Sequence, residues 1–452
     1  MISSLTRFAR AAGAYVPEAT AMSILMLAGL VLIALALGND VTTISDAFYR
    51  GLWMLLPFSM QMALMLLLSA VLSMTPVFRK VVSALAQLPR SALQVLALAS
   101  FLTAALSYCY WALGLALGPL IALNFAGAAE KRGIRVDFPC LLATVCAAQS
   151  VWQFGLSSSA ALLVASPGHF LEATTGIMPM NSTILSRGAV LLSVSFPVIL
   201  VLLARWIMPK NAEPLSAFPR ALALLDTIDT PEASATNSGI QISGFAAWCD
   251  RTRLLPLLLS LALVSWLYHH FVVKGAALDF NAMLTALLLL AVLLQGSLGK
   301  LLHALSKSIA SCWQIMVLYQ LYGAVAGLLQ YTNTGDVFAS YFAKLATPQT
   351  FTLLTALAGT LVAIFVPSSG GQWVIQGFIT TKAAAVVGAT PQQGLLALGI
   401  GDQMGNLISP FWIVIAASIA GIDFRKIFGY MLIFSLPWFL LGVVIFTWLP
   451  AR

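Results

Sequence analysis

Apolar runs long enough to cross a bilayer as helices recur along the whole chain. They lie near 21–38, 52–74, 91–106, 138–165, 186–208, 252–273, 280–298, 309–330, 350–366, 394–420 and 428–448. Lipid offers backbone amides no partner, so only helices or closed barrels can span it. The runs are continuous rather than alternating, which selects helices. Two more apolar segments, 107–127 and 368–388, are interrupted by Gly, Ser or Pro. They read equally as discontinuous spans or as re-entrant hairpins. The pattern predicts an all-α polytopic membrane protein with about 11–13 membrane segments.

Composition closes off the soluble alternatives. Charged residues make up 8% of the chain and hydrophobic residues 60%, whereas a soluble domain carries about 25% charged residues. Most of the surface must therefore meet membrane lipid. The net charge of +8 does not indicate nucleic acid, because the basic residues stand singly or in pairs at the ends of apolar runs. The five cysteines form no CxxC pair and no Cys/His cluster, so no disulfide framework, zinc site or cofactor is expected. Residues 1–20, with Arg7 and Arg10, read as an interfacial amphipathic helix.

Basic residues also set an orientation. With the N-terminus inside and each segment crossing once, five of the 23 Lys and Arg fall outside: Arg50, Arg187, Lys274, Lys344 and Arg452. Lys382 sits in a broken segment, where it could offset a substrate charge or snorkel to a rim, and the remaining seventeen fall inside. This is the positive-inside pattern, with a cytoplasmic N-terminus. Residues 209–251 form the longest polar stretch and read as a cytoplasmic, partly disordered linker.

The two sides of that linker correspond. Aligning Leu141-Leu142-Ala143 with Leu395-Leu396-Ala397 brings Gln149 onto Gln403 without a gap. Span spacing in 21–208 matches that in 280–448, and 252–273 is left as a connector that flips the second copy. This is the layout of two inverted-topology repeats. Two unrelated six-span blocks are the alternative.

Polar groups inside a bilayer are costly and mark cavities or helix contacts. The densest cluster is Ser368-Ser369-Gly370-Gly371-Gln372-Trp373, with Gln376 one turn on. Glycine and serine at a helix start leave N–H groups and hydroxyls free for a carboxylate. A simple kink or small-residue contact is the bland reading. Downstream, Asp402, Asn406 and Ser409 share a helical face beside Gln403, and Asp402 is the only acid within a predicted span. Such a carboxylate can carry a proton or coordinate Na+, or belong to a polar patch near the outer interface. The first half offers Gln149, Gln153, Ser157 and Trp111, none ionisable near neutrality. A membrane enzyme would need a nucleophile with a nearby base, and no His or Cys stands beside a membrane acid.

Val366-Pro367-Ser368-Ser369-Gly370-Gly371-Gln372-Trp373-Val374-Ile375-Gln376-Gly377, with Asp402-Gln403 and Pro410-Phe411-Trp412 downstream, resembles the bacterial short-chain fatty acid transporter family. Trp152, Gly155 and Ser166-Pro167-Gly168 extend the resemblance into the first half. It implies secondary transport of short monocarboxylates, such as acetoacetate or butyrate, across the inner membrane. It also implies an inverted-repeat, elevator-like ion-transporter fold. Coupling to H+ is the first expectation and to Na+ the second, and a homodimer is compatible. The chain departs from the family pattern where Ser369 replaces glycine, Gln372 histidine, Phe378 proline and Asp402 glutamate. Tyr110-Trp111-Ala112 and Gln153-Phe154 also stand where Asn-Trp-Gly and Gly-Gly are expected. The departures gather at the expected site and bear on substrate rather than fold.

Overall fold

A computed structural model describes residues 19–73, 75–229, 244–309, 312–364 and 366–449. Every regular element among these residues is helical. In chain order the principal ones are α1 (Ala19–Ala36), α2 (Val41–Met54), α3 (Leu56–Ser73), α4 (Pro76–Ala86), α5 (Ala92–Cys109), α6 (Trp111–Lys131) and α7 (Phe138–Ala148). A 3-10 turn (Gln149–Phe154) leads to α8 (Ser159–Ala165) and α9 (Arg187–Ile207). After α10 (Pro219–Asp229) and α11 (Gly244–Arg251) come α12 (Leu254–Tyr268), α13 (Phe280–Gln295), α14 (Leu298–Ser308), α15 (Trp313–Tyr331) and α16 (Thr334–Leu345). The chain ends in α17 (Phe351–Ala363), α18 (Ser369–Val387), α19 (Pro391–Ile408), α20 (Pro410–Ile419) and α21 (Arg425–Trp448).

Each of the thirteen apolar segments falls on helix. Among the described residues, seven helical stretches have the length and composition to cross a membrane, counting α2 with α3 and α7 with α8 as one each, or eight if a bent pair counts as one span. The others are short, bent or too polar. The differences have local causes. The second span begins at Val41 rather than 52, because Asp40 caps it by accepting from the Thr43 amide, while Thr42, Thr43 and Asp46 hide its first turns from hydropathy. Hydrogen bonds from Thr42 and Thr43 hold the Asp40 carboxyl down to about 2. The span expected at 280–298 ends at Gln295, since Gly296 takes φ +69° and Ser297 caps α14, which turns away by 119°. The run 394–420 is divided at Ser409–Pro410.

The linker is partly folded. Leu215, Ala221 and Leu225 are buried, and the Glu213 amide donates to Asp137, the cap of α7. Burial raises the Asp137 carboxyl above the usual range, against the pull of the Glu213 and Cys140 amides. Residues 230–243 and the expected interfacial helix up to Glu18 lie outside the described residues.

Both interrupted segments belong to helical hairpins. In the first, α5 and α6 fold back about an extended Tyr110. A Cβ on Gly114 would lie 1.8 Å from Ser107 Oγ, and one on Gly118 would lie 3.5 Å from a Thr103 methyl. Ser107 therefore pairs with Gly114, and Thr103 with Gly118, as antiparallel arms require. In the second, Gln372 Nε2 of α18 donates to Gly359 O of α17 at 2.6 Å, and one cavity is lined by both Thr355 and Gln376. A hairpin counts as two segments, so its ends return to one side and the count of basic residues by side is unchanged.

Candidate functional site

The two hairpin tips converge on one interruption, the turn and extended stretch between α7 and α8. On the first side, Leu156 N donates to Tyr108 O at 2.7 Å, and Trp111 N donates to Ser157 Oγ at 2.8 Å. A Cβ on Gly155 would lie 2.4 Å from Tyr108 O, so only glycine lets the backbones meet. The Tyr110 hydroxyl donates to Met65 O of α3, and Trp111 stands 6.0 Å from Trp152. This tip is closed by aromatic rings and by backbone hydrogen bonds to the interruption, although Ser107 Oγ and Gln149 Nε2 nearby are buried without partners.

The second tip meets the same interruption through hydroxyls. Ser368 caps α18: its backbone is extended after Pro367, and its Oγ accepts from Gly371 N at 3.4 Å. Gly370 N donates to Ser159 Oγ at 2.9 Å, and Gln153 Nε2 donates to Ser369 Oγ at 2.9 Å. Tyr319 of α15 shares a 2.7 Å hydrogen bond with Ser368. A Cβ on Gly370 would meet Phe58 at 2.6 Å, and one on Gly371 would meet Tyr322 at 2.7 Å. Two aromatic side chains thus sit where only glycine leaves room.

Helix α19 completes the cluster. Its residues turn about 100° each, which lets the packing partners define sectors. Gly401 and Gly405 press on α17, where a Cβ on Gly401 would lie 2.1 Å from Ala356 O. Gly399 abuts Gln153, and Gln403 Nε2 donates to Ser150 Oγ at 3.0 Å. Ile400 faces α21, where its carbonyl accepts from Trp438. Asp402 and Asn406 fall in the remaining sector, between α17 and the interruption, where the N-terminal end of α18 packs. Asn406 Nδ2 donates to Asp402 Oδ2 at 3.1 Å, and Trp412 Nε1 donates to Asn406 Oδ1 at 3.1 Å.

Asp402 is only 1% exposed, and none of the ion pairs among the described residues reaches it. Its Oδ1 has no hydrogen-bond donor, nor do the Oε1 atoms of Gln153, Gln372 and Gln403. Buried acceptors without donors are rare and costly. They lie on three elements; of the four, only the Asp402 carboxylate can take up a proton, while carboxamide oxygens are donors of the kind a hard cation takes. Asp402 is thus enclosed by the fold rather than placed on its exposed surface.

The expected residues thus fall together in most cases. Ser368, Ser369, Gly370, Gly371, Gln372, Gln153, Ser157 and Trp111 lie at the tips, and Gln403, Asn406 and Asp402 line the adjoining helix. Gln149 faces hairpin 1, where its Nε2 would lie 2.5 Å from a Cβ on Gly118. Gln376 sits one turn from the tip, accepting from Gln372 at 2.7 Å. Trp373 is wholly buried against Gly377, whose other neighbour is Leu171. Ser409 is buried and caps no helix with its side chain. Lys382 is absent from the cluster: it pairs with Asp336 of α16 and lies 4.6 Å over Phe378. Tyr319 and Phe58 were not singled out by sequence, whereas Ser159 belongs to the polar run from Gln149 to Ser159 in the first half. The polar stretch Tyr319-Gln320-Leu321-Tyr322 inside an apolar helix was the signal for one of them.

The family model for short chain fatty acid transporters matches residues 1–446. The chain belongs to that family. Two relatives carry the name "Putative short-chain fatty acid transporter". The Haemophilus influenzae protein is 29% identical over 98% of this chain and 99% of its own length. The Escherichia coli protein is 27% identical over 88% of each. Among solved structures, the Alcanivorax borkumensis YdaH transporter superposes with a TM-score of 0.63 at 14% identity, covering 95% of this chain and 98% of its own. Neisseria gonorrhoeae MtrF, described within a class of antimetabolite efflux pumps, gives 0.56 at 13%, covering 98% and 96%. At such identities the likeness concerns fold alone. The protein is a multi-pass membrane transporter, and neither its family nor these neighbours are enzymes.

Proposed function

We propose that this transporter carries short monocarboxylates, of the acetoacetate or butyrate kind, together with a coupling cation. The observation behind this reading is the unpaired buried Asp402 beside a helix start built from Ser368, Ser369, Gly370 and Gly371. The first-turn amides of α18 are now met only by neutral hydroxyls. A substrate carboxylate would replace Ser159 and Ser368 as acceptor with a charge-assisted bond, roughly twice as strong as a neutral one. The helix dipole favours the same charge.

That anion cannot settle beside a second buried anion without cost. Neutralising Asp402 first, by H+ or by Na+ held with Gln403, Asn406 and Ser409, removes the conflict and so couples the two fluxes. H+ is the first choice, because one proton on Oδ1 needs no further ligands. Gln149, Gln153, Gln372, Gln376, Ser157 and Trp111 orient the substrate, and Trp373 and Trp412 supply apolar walls. The excess of Lys and Arg on one side supports a cytoplasmic N-terminus, and the resemblance to bacterial relatives supports the inner membrane.

The test is uptake of labelled acetoacetate and butyrate into proteoliposomes under an imposed H+ or Na+ gradient. Saturable accumulation driven by one gradient supports both substrate class and coupling. Saturable uptake that never exceeds equilibrium would remove the coupling cation. No uptake would move the substrate away from these acids.

A further inference from the structure

A second polar site lies inside hairpin 2, away from the tip. A cavity of about 40 Å3 opens between its arms, lined by Thr355 and Ala358 of α17, Gln376, Ile379 and Thr380 of α18, and Phe342 of α16. Thr355 is 2% exposed, and its hydroxyl has no hydrogen-bond partner. Four helical threonines of this chain, Thr103, Thr144, Thr285 and Thr360, turn back to the carbonyl four residues earlier, while Thr381, like Thr355, is buried without a partner. Thr360 does so in the same helix. Thr355 forgoes that bond and lines the cavity instead.

We propose that this cavity is a binding site for water, holding two or three ordered molecules that bridge Thr355, Gln376 and Thr380 across the seam between the arms. The volume decides the occupant. One water needs about 10–15 Å3 by this measure, and a buried water wants two to four polar partners. Three polar side chains meet that need, whereas an apolar occupant would leave Thr355 unsatisfied. The seam continues toward the tip, since Gln376 accepts from Gln372, which also donates to Gly359 O. Carboxamides do not hand on protons as carboxyl or hydroxyl chains do, so the water serves to wet the seam rather than to conduct charge. Arms joined by water can part without exposing bare amides to lipid, because exchange of water bonds costs little.

High-resolution density for the full chain in lipid tests this directly. The wild type is expected to show two or three water peaks within hydrogen-bonding distance of Thr355 Oγ1, Gln376 and Thr380. Thr355→Ser should keep them, and Thr355→Val should lose at least the peak on position 355. An empty cavity or an acyl chain in the wild type would overturn the inference, as would an unchanged set of peaks in Thr355→Val. Should the valine variant fail to fold, the wild-type and serine maps still decide. The readout is independent of what the protein transports.

Discussion

The two hairpins meet the same interruption but present opposite chemistry. The tip of hairpin 1 is aromatic, and its backbone donors are taken by Ser157 Oγ and neighbouring carbonyls. The tip of hairpin 2 is a helix start of serine and glycine, next to an acid with no counter-charge. Hairpin 1 therefore reads as a support that fixes the interruption, and hairpin 2 as the part that exchanges its partners. The lesson is that two helical hairpins of like shape need not carry like sites. One bend is closed by aromatic rings, and the other opens a helix of serine and glycine beside a buried acid.

The largest expected effect follows from that asymmetry. Asp402→Asn should abolish gradient-driven accumulation, lowering it by about tenfold or more, while saturable exchange persists. Gln149→Leu, on the hairpin 1 side, should keep accumulation and only weaken apparent affinity. Full accumulation in Asp402→Asn would erase the division of labour between the hairpins.

Next is the closeness of the arms. Gly114→Ala places a methyl 1.8 Å from Ser107 Oγ. Overpacking of this kind costs typically ~1–3 kcal/mol, so the variant should melt well below wild type in detergent. Ser107→Ala added to it should recover part of the loss. Gly429→Ala, with nothing within 4 Å, is the control and should be neutral. Equal melting of the two alanine variants would mean that the arms of hairpin 1 are not held so tightly.

A smaller effect is expected where the halves touch. Gln153→Leu or Ser369→Ala removes the 2.9 Å bond between the interruption and the hairpin 2 tip. A hydrogen bond of this type contributes about 0.5–1.5 kcal/mol net, so each variant should raise apparent KM a few-fold. The double variant should cost less than the sum, because the pair is coupled. Strict additivity would show that the bond plays no part in binding.

Much of this was legible in the sequence, for identifiable reasons. Apolar length located the long buried helices, since the bilayer sets that length, but not the shorter, more polar α4, α10, α11, α14 and α16. Ser368–Gln372 and Asp402 stood out because polar residues are scarce in such segments. Helix starts such as Val41 were hidden, because capping polar residues lower hydropathy just where the helix begins. Tyr319 and Phe58 were missed since they come from elements distant in sequence, and tertiary packing alone brings them to Ser368 and Gly370. The hairpins could not be told from paired spans, because folding back leaves no trace in composition. It lies in contacts such as Ser107 with Gly114.

The smallest effect concerns the loop by which the first half reaches over hairpin 2. His169 lies in that loop, 7% exposed, with Nε2 3.1 Å from Gly176 O and Nδ1 unpartnered. Leu171, two residues on, comes within 3.0 Å of where a Cβ on Gly377 would stand. Burial lowers the His169 pKa, opposed by the Gly176 carbonyl and the nearby Glu172. A base whose folded pKa lies below its unfolded value favours the fold at higher pH. That contribution is present above about 6.5 and is lost as pH falls through the folded value, because the unfolded loop binds the proton more readily. Hydrogen exchange across residues 166–177 should therefore quicken modestly below pH 6.5, beyond the intrinsic pH trend, while α19 stays unchanged. His169→Gln keeps a side-chain donor for Gly176 but cannot take up a proton, so its exchange should lose the extra acid response. An identical acid response in the glutamine variant would mean that another group loosens the loop, with Glu172, which accepts from Gly168 N at 2.5 Å, the next to replace.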